Sequence, residues 1–391
     1  MTMTATSQGA RGESVPQPRQ SAVTDQGGLV AALTVRPASS AADRAAASAR
    51  PRPGGAFTSA DIATVVAIAG RAPSVHNTQP WRFRITGDVI ELRGDPDRIL
   101  TQIDPAGREL MISCGAALFG VRLGLRQLGC VPAVQLFPDP AQPWLVARAW
   151  PDAHAALNSV EAELIAAVPH RHTHRGPFTP GEVSPRLLAA LAVDAAAEGS
   201  ELRFIEEPGL VSDLAALVDR AAAQQQASAE IVAETRDWVR PTGTQARDGV
   251  PARAARSALG AGGARDAGAQ RFRQRDFGVA GGGSGAAAGA GEDAGEPPAV
   301  TAVLFTAGDN ADDWLCAGQA LNRLLLRAAT RWVFASLQSQ PMESALYRQQ
   351  VRELLATQGQ PQMLLQFGRA NTAPATPRRP QSEFRTNENE A

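Results

Sequence analysis

The 391-residue chain contains no lysine: all 38 of its basic residues are arginine. That absence excludes a Schiff-base lysine and a phosphate-loop lysine. Cysteine is scarce, with three residues, Cys114, Cys130 and Cys316. They form neither a Cys-x-x-Cys pair nor a zinc-finger spacing, so no disulfide framework is expected, and a reducing cytoplasm is the default. Aromatics reach only 5% of the chain, and 38 basic against 39 acidic residues leave a net charge of −1. There is thus no global electrostatic case for nucleic acid or an anionic membrane as partner. No uncharged apolar run attains the ~18–20 residues needed to cross a bilayer, and the first residues lack the apolar core of a secretory signal.

What is present organises into blocks. The length suits one large domain or two ordinary ones. Residues 1–57 are rich in Ala, Ser, Thr, Pro, Gly and Arg without periodicity. They read as a disordered extension, or as a start codon placed too far upstream. From Asp61 to Ala69 the pattern is a short apolar helix. Residues 81–93 alternate around Gly87-Asp88 and predict a β-hairpin. Asp104-Pro105 is expected to open a helix to about Leu128, aspartate as N-cap and proline in the first turn. Strands are expected at 131–137 and 144–150, and helices near 157–168, 184–198, 210–223 and 228–238. A strand at 299–306, helices at 312–329 and 341–357, and a strand at 361–368 complete the pattern. Between them, 253–296 is glycine-rich, with no Leu, Ile or Met from Gly260 to Glu296. It reads as a flexible low-complexity segment, from a compensated frameshift or an inserted lid. Within it Gly283-x-Gly285-x-x-Ala288 matches a dinucleotide fingerprint by letter only, because no strand precedes it.

Two helical stretches repeat each other. The run from Cys114 aligns without gaps to the run beginning with Ala317, pairing Gly115 with Gly318, Ala117 with Ala320, Leu118 with Leu321 and Leu123 with Leu326. Small residues in that spacing let two helices approach closely. Either two Ala/Leu helices resemble one another by chance, or the chain is a fused pseudo-dimer.

The segment richest in chemistry is Arg71-Ala-Pro-Ser-Val-His-Asn-Thr-Gln-Pro-Trp81. Its many donors and acceptors, crowded between a helix and a strand, suit the polar edge of a heterocycle. A rigid turn capped by Ser74 and Asn77 is the plainer reading. Further on, Arg171-His172-Thr173-His174-Arg175 sets two arginines around a hydroxyl, able to fork onto a phosphate. His170, His172 and His174 alternate, but no carboxylate or cysteine nearby completes a ligand set, so no metal is expected.

The Pro-Ser-x-x-Asn-x-Gln-Pro-Trp pattern resembles the motif of nitroreductase flavoproteins. With His76 and Thr78 it is similar to their Acg branch. The resemblance continues through Gly107-Arg-Glu109, Gly115-Ala-Ala-Leu118, Trp314 to Leu321, Gln340-Pro-x-Glu343 and Pro377-Arg-Arg-Pro380. It covers about 60–250 and 297–385. It implies an α+β three-layer fold, two fused half-repeats around a mainly antiparallel sheet, the halves being 58–168 and 169–385. It also implies FMN as cofactor, with NAD(P)H as possible hydride donor. Ser74, His76, Asn77 and Gln79 would hold the flavin ring. Arg171, Thr173, Arg175 and Arg378 would hold its phosphate. The function implied is hydride transfer from NAD(P)H to a nitro compound or quinone. The alternative is a non-catalytic FMN-binding or sequestering protein with an occluded flavin. No catalytic side chain is singled out, and an internal pseudo-dimer would act as a monomer on a small molecule. One departure stands out: Trp332 occupies the place equivalent to the helix-capping Gly129, where an indole is expected to crowd the flavin.

Overall fold

The computed structural model describes residues 57–176, 178–252, 254, 272, 275–277, 299–371 and 376–387. The expectations for 1–56 and most of 253–296, including the Gly283 fingerprint, lie outside the described residues.

Helix α1 is Ser59–Ala69. It starts where the sequence supplies a reciprocal cap: Thr58 Oγ1 accepts the Asp61 N–H at 3.1 Å, and the Asp61 carboxylate accepts the Thr58 N–H at 2.9 Å. The hairpin follows as β1, Trp81–Thr86, and β2, Val89–Gly94. Gly87 supplies the positive φ of 61° that the turn requires. Alternate residues of β1 are buried, with Trp81 and Phe83 fully inside.

Helix α2, Arg108–Gln127, begins later than expected. Asp104 is not its N-cap. Gly107, at φ 68°, turns the chain first and takes the cap position. The Asp104 carboxylate still serves the helix from outside, accepting the Leu110 N–H at 2.9 Å. Strands β3, Cys130–Leu136, and β4, Leu145–His154, and helix α3, Ser159–Ala167, follow.

The second part runs α4 (Pro185–Ala197), β5 (Glu201–Ile205), α5 (Pro208–Ala227) and α6 (Ala229–Asp237). Two short strands come next, β6 (Val239–Arg240) and β7 (Val250–Pro251). Then come β8 (Val300–Thr306), α7 (Ala311–Ala329), β9 (Val333–Leu337), α8 (Ala345–Leu354), β10 (Gln360–Arg369) and β11 (Arg385–Asn387). Strands β5 and β9 have no counterpart in the expected pattern.

The strands form two main sheets, ordered β11-β1-β2-β4-β3 and β5-β8-β10-β9. Leaving β11 aside, both share one antiparallel topology, with a long helix after the second strand: α2 in one, α7 in the other. Strand β11 crosses back and pairs parallel with β1, Phe83 opposite Arg385. The fold is α+β, and its antiparallel strands divide into two sheets.

Helices α2 and α7 pack against each other in the centre, with reciprocal contacts. A side chain at Gly115 would collide with the carbonyl oxygen of Leu315, and one at Gly318 with that of Ile112. The residues paired by sequence alignment therefore exchange roles across the crossing. Asn322 adds a bond from Nδ2 to the Ala116 oxygen at 2.8 Å. Among the described residues no helix is long and apolar enough to cross a membrane.

Candidate functional site

Between α1 and β1 the backbone is strained. His76, Asn77 and Gln79 take φ values of 43°, 57° and 50°. Left-handed conformations at non-glycine residues cost roughly 1–2 kcal/mol each, so something must enforce them. Two remote segments do so. Asn77 Nδ2 donates to Gly249 O at 3.0 Å and Pro377 O at 3.1 Å, and Gly249 N–H returns a bond to Asn77 O at 3.1 Å. Gln79 Nε2 donates to Arg247 O at 2.9 Å, while its Oε1 accepts the Arg379 N–H at 2.9 Å. Ser74 Oγ accepts the Gln79 N–H at 3.0 Å. The amides of Asn77 and Gln79 are thus spent on shaping the loop.

The shape so enforced presents Ser74 and His76 to a cleft of about 80 Å³. Glu109, Ile112 and Ser113 of α2 form one wall, Thr173, His174 and Arg175 another, and Leu321, Leu337, Ser339 and Met363 complete it with Arg275 and Phe277. The cleft therefore draws Ser74 and His76 together with Thr173 and Arg175, a hundred residues away.

His76 is 5% exposed, and among the described residues neither ring nitrogen has a hydrogen-bond partner. Phe277 meets it edge-on, ring centroids 5.5 Å apart. Burial, then Arg275, hold its pKa down to about 3. The imidazole is neutral and offers one donor and one acceptor to a ligand.

Beside the loop guanidinium groups gather, and among the described residues neither Arg171 nor Arg378 makes an ion pair. Arg171 donates from Nη2 to Arg71 O at 3.0 Å, and its Nη1 is buried with no partner. Arg378 donates from Nη1 to Asn77 Oδ1 at 2.9 Å and from Nη2 to Ala72 O at 3.1 Å, leaving Nε buried and unbonded. Burial, then Arg71, pull the Arg171 pKa down to about 10. Burial, then Arg275, do the same for Arg175. Arg378 is pushed well down by burial, then by Arg171, Arg71 and Arg175. Crowded, desolvated cations with free N–H groups are the donor set that suits an anion.

The alternating histidines take separate aromatic partners: His172 stacks on Phe334 at 4.2 Å and His174 on Phe178 at 4.7 Å. Among the described residues no three metal-binding side chains cluster. Trp332 does adopt the left-handed cap, φ 55° against 76° at Gly129. Its indole is 56% exposed, leans on His170 and Phe334, and lies outside the cleft lining. The indole therefore does not narrow this cleft.

Sequence reasoning missed Arg275, Phe277 and Arg379 as site residues. Arg275 is ion-paired with Glu343 and donates to Ser339 Oγ at 3.2 Å. Glu343 was visible only as part of a motif. Arg275 and Phe277 sit in the stretch whose composition gave no sign of a return to the cleft.

No protein-family model matches the chain. Among curated proteins it is 32% identical over 335 residues to a Mycobacterium tuberculosis protein named "Putative NAD(P)H nitroreductase", covering 82% of this chain and 90% of the relative. A second M. tuberculosis relative, given the same description with the name acg, is 40% identical over 82 residues, 21% of this chain and 25% of its own length. A solved nitroreductase with bound FMN from Desulfitobacterium hafniense superposes at a TM-score of 0.31 and 14% identity, covering 56% of this chain and 95% of that one. At that score the superposition carries no argument. Fold and cleft together define an α+β protein with two helix-covered sheets and a cleft lined by Arg175 and Arg275, with Arg171 and Arg378 outside that lining. By its full-length relative, the chain belongs to the NAD(P)H nitroreductase family.

Proposed function

We propose that the chain binds FMN and transfers hydride from NAD(P)H to a nitro compound or quinone. The observation that carries this reading is the pairing of two kinds of orphaned donor: the buried N–H groups of Arg171 and Arg378, and the unpaired imidazole of His76. A phosphate suits the first and the polar edge of a flat heterocycle suits the second. Arg171, Arg175 and Arg378 hold the phosphate, with Thr173 donating beside them. His76 and Ser74 meet the ring, while Asn77 and Gln79 keep their loop in its strained shape. Bound FMN supplies two-electron hydride chemistry, so the protein needs no covalent nucleophile. In this reading the chain is a monomeric, cytoplasmic pair of half-repeats, 58–168 and 169–385, sharing one site.

Phe277 favours a second reading. It is 4% exposed and stands against His76 inside the cleft. A ring so placed competes with a nicotinamide for the ligand's face, which suits a sequestering protein. One experiment separates the readings: purify the chain, scan its absorbance with and without added FMN, then add NADPH. Uptake of one FMN per chain with rapid NADPH bleaching supports the oxidoreductase. Uptake with bleaching by dithionite alone supports sequestration. A colourless chain that takes up no FMN defeats both.

A further inference from the structure

A second cavity adjoins the cleft. It measures about 130 Å³, and Arg275 and Phe277 line both spaces. Ala222 of α5 and Ile231 and Val232 of α6 give it an apolar side. One water needs about 10–15 Å³ of such space, so the cavity has room for a ring-sized molecule. Water alone suits it poorly, because Ala222, Ile231, Val232 and Phe277 offer no side-chain partner.

The charged groups of its lining are already engaged. Arg275 is ion-paired with Glu343 and donates to Ser339 Oγ at 3.2 Å. Asp276 Oδ2 accepts from Gln226 Nε2 at 3.5 Å, and Gln225 Nε2 donates to Glu343 Oε2 at 2.7 Å. Two polar side chains of the lining are not engaged. Gln340 is 2% exposed and Thr235 is 5% exposed, and among the described residues neither the amide nor the hydroxyl makes a hydrogen bond. Buried amides and hydroxyls are seldom left so, since each forfeits its bonds to water on burial. Both stand where a guest in the cavity can restore them.

We propose that this cavity is a second binding site, for an uncharged, ring-sized carboxamide or lactam. Gln340 offers two N–H donors and a carbonyl acceptor, and the Thr235 hydroxyl serves as either. An amide edge carries the complementary N–H and C=O on adjacent atoms. The ring of the guest packs on Phe277, Ile231 and Val232. An ionised guest is rejected, because Arg275 and Asp276 have partners and no spare charge repays its desolvation. The site needs neither a flavin nor hydride chemistry, so it stands apart from the function proposed for the cleft.

Calorimetric and ligand-observed NMR titrations of the full-length chain test it, with benzamide, 2-pyridone and sodium benzoate as probes. The expected result is saturable binding of one amide per chain, with benzoate at least about tenfold weaker. Gln340→Leu should weaken the amides about tenfold and Thr235→Val about fivefold, each by removing a hydrogen-bonding group at nearly constant size. Val232→Phe should abolish binding by filling the space. Thermal melts check that each variant is folded, and Thr235→Val, the closest in shape, decides if Gln340→Leu does not fold. Failure of both amides to bind the wild type overturns the proposal. So does benzoate binding as tightly as benzamide, or an amide affinity that the folded variants leave unchanged.

Discussion

The two central helices solve the same packing problem with opposite chemistry. Where α1 lies on α2, the contact is made by glycine: a Cβ at Gly120 would come within 2.6 Å of Ala69 Cα, and one at Gly124 within 2.7 Å of Val65 Cα. Continuing the alignment of Gly115 with Gly318 places Arg323 and Arg327 at the matching positions of α7. There they reach α4 through charge. Asp194 accepts from Arg323 Nε at 2.9 Å and Arg327 Nε at 2.6 Å, and Glu198 accepts from Arg323 Nη1 at 2.8 Å. One seam is close and apolar, the other ionic. A shared topology fixes where helices cross and leaves their chemistry free, so each half could acquire different site parts: a strained recognition loop in the first, the Arg171 to Arg175 segment in the second.

The comparison breaks most readily at the centre. Gly115→Val and Gly318→Val each drive a side chain into a partner's carbonyl and should each cost more than about 4 kcal/mol. Soluble yield and denaturant midpoint check this, and a large effect at one glycine alone would deny the reciprocity of the crossing. The ionic seam is next. Asp194→Ala strands two arginines and should cost about 3 kcal/mol, the low end for a broken buried pair because both guanidiniums retain some water. Urea unfolding measures it.

Ligand binding tests the division of labour. Arg171→Ala or Arg378→Ala should weaken FMN by about 1.5–3 kcal/mol each and leave riboflavin, which has no phosphate, unaffected. Fluorescence titration of both flavins decides. Equal losses would mean that the arginines act through the fold. The smallest effect belongs to the helix exits: Trp332→Gly should relieve left-handed strain and raise stability by about 1 kcal/mol. A thermal melt reads the gain, and FMN affinity should not move, since the indole lies outside the cleft lining.

Much of this was legible beforehand because it rests on local rules. Alternation marked the hairpin, and glycine and alanine spacing marked the crossing helices. Other parts depend on what lies across space. Strand β9 is Val-Phe-Ala-Ser-Leu, buried along its first four residues, so it shows no alternation to read. Strand β5 does alternate but has only five residues, hard against the end of α4. Asp104 looked like a cap because Asp-Pro so often is one, and only the left-handed Gly107 moves the helix start. At the site, residue types pointed to a polar loop and an arginine grip. Nothing in the letters shows that Asn77 and Gln79 face the scaffold while His76 faces the cleft. Nor could composition reveal that Arg275 and Phe277 return to its wall.

The return of β11 to β1 has a consequence for biosynthesis. Phe83 N–H bonds to Phe384 O at 2.6 Å, and Arg378 grips Asn77 across 301 residues of sequence. At ~5–20 residues per second a ribosome needs on the order of 15–60 s to span that interval. Until then the left-handed residues of the loop lack half their anchors, and until Ala329 is made α2 lacks the helix that crosses it. A nascent chain must carry this unfinished half through most of its own synthesis. Ligand capture therefore belongs after release, and a transcript truncated before Arg378 should yield a product that proteases clear before any ligand can rescue it.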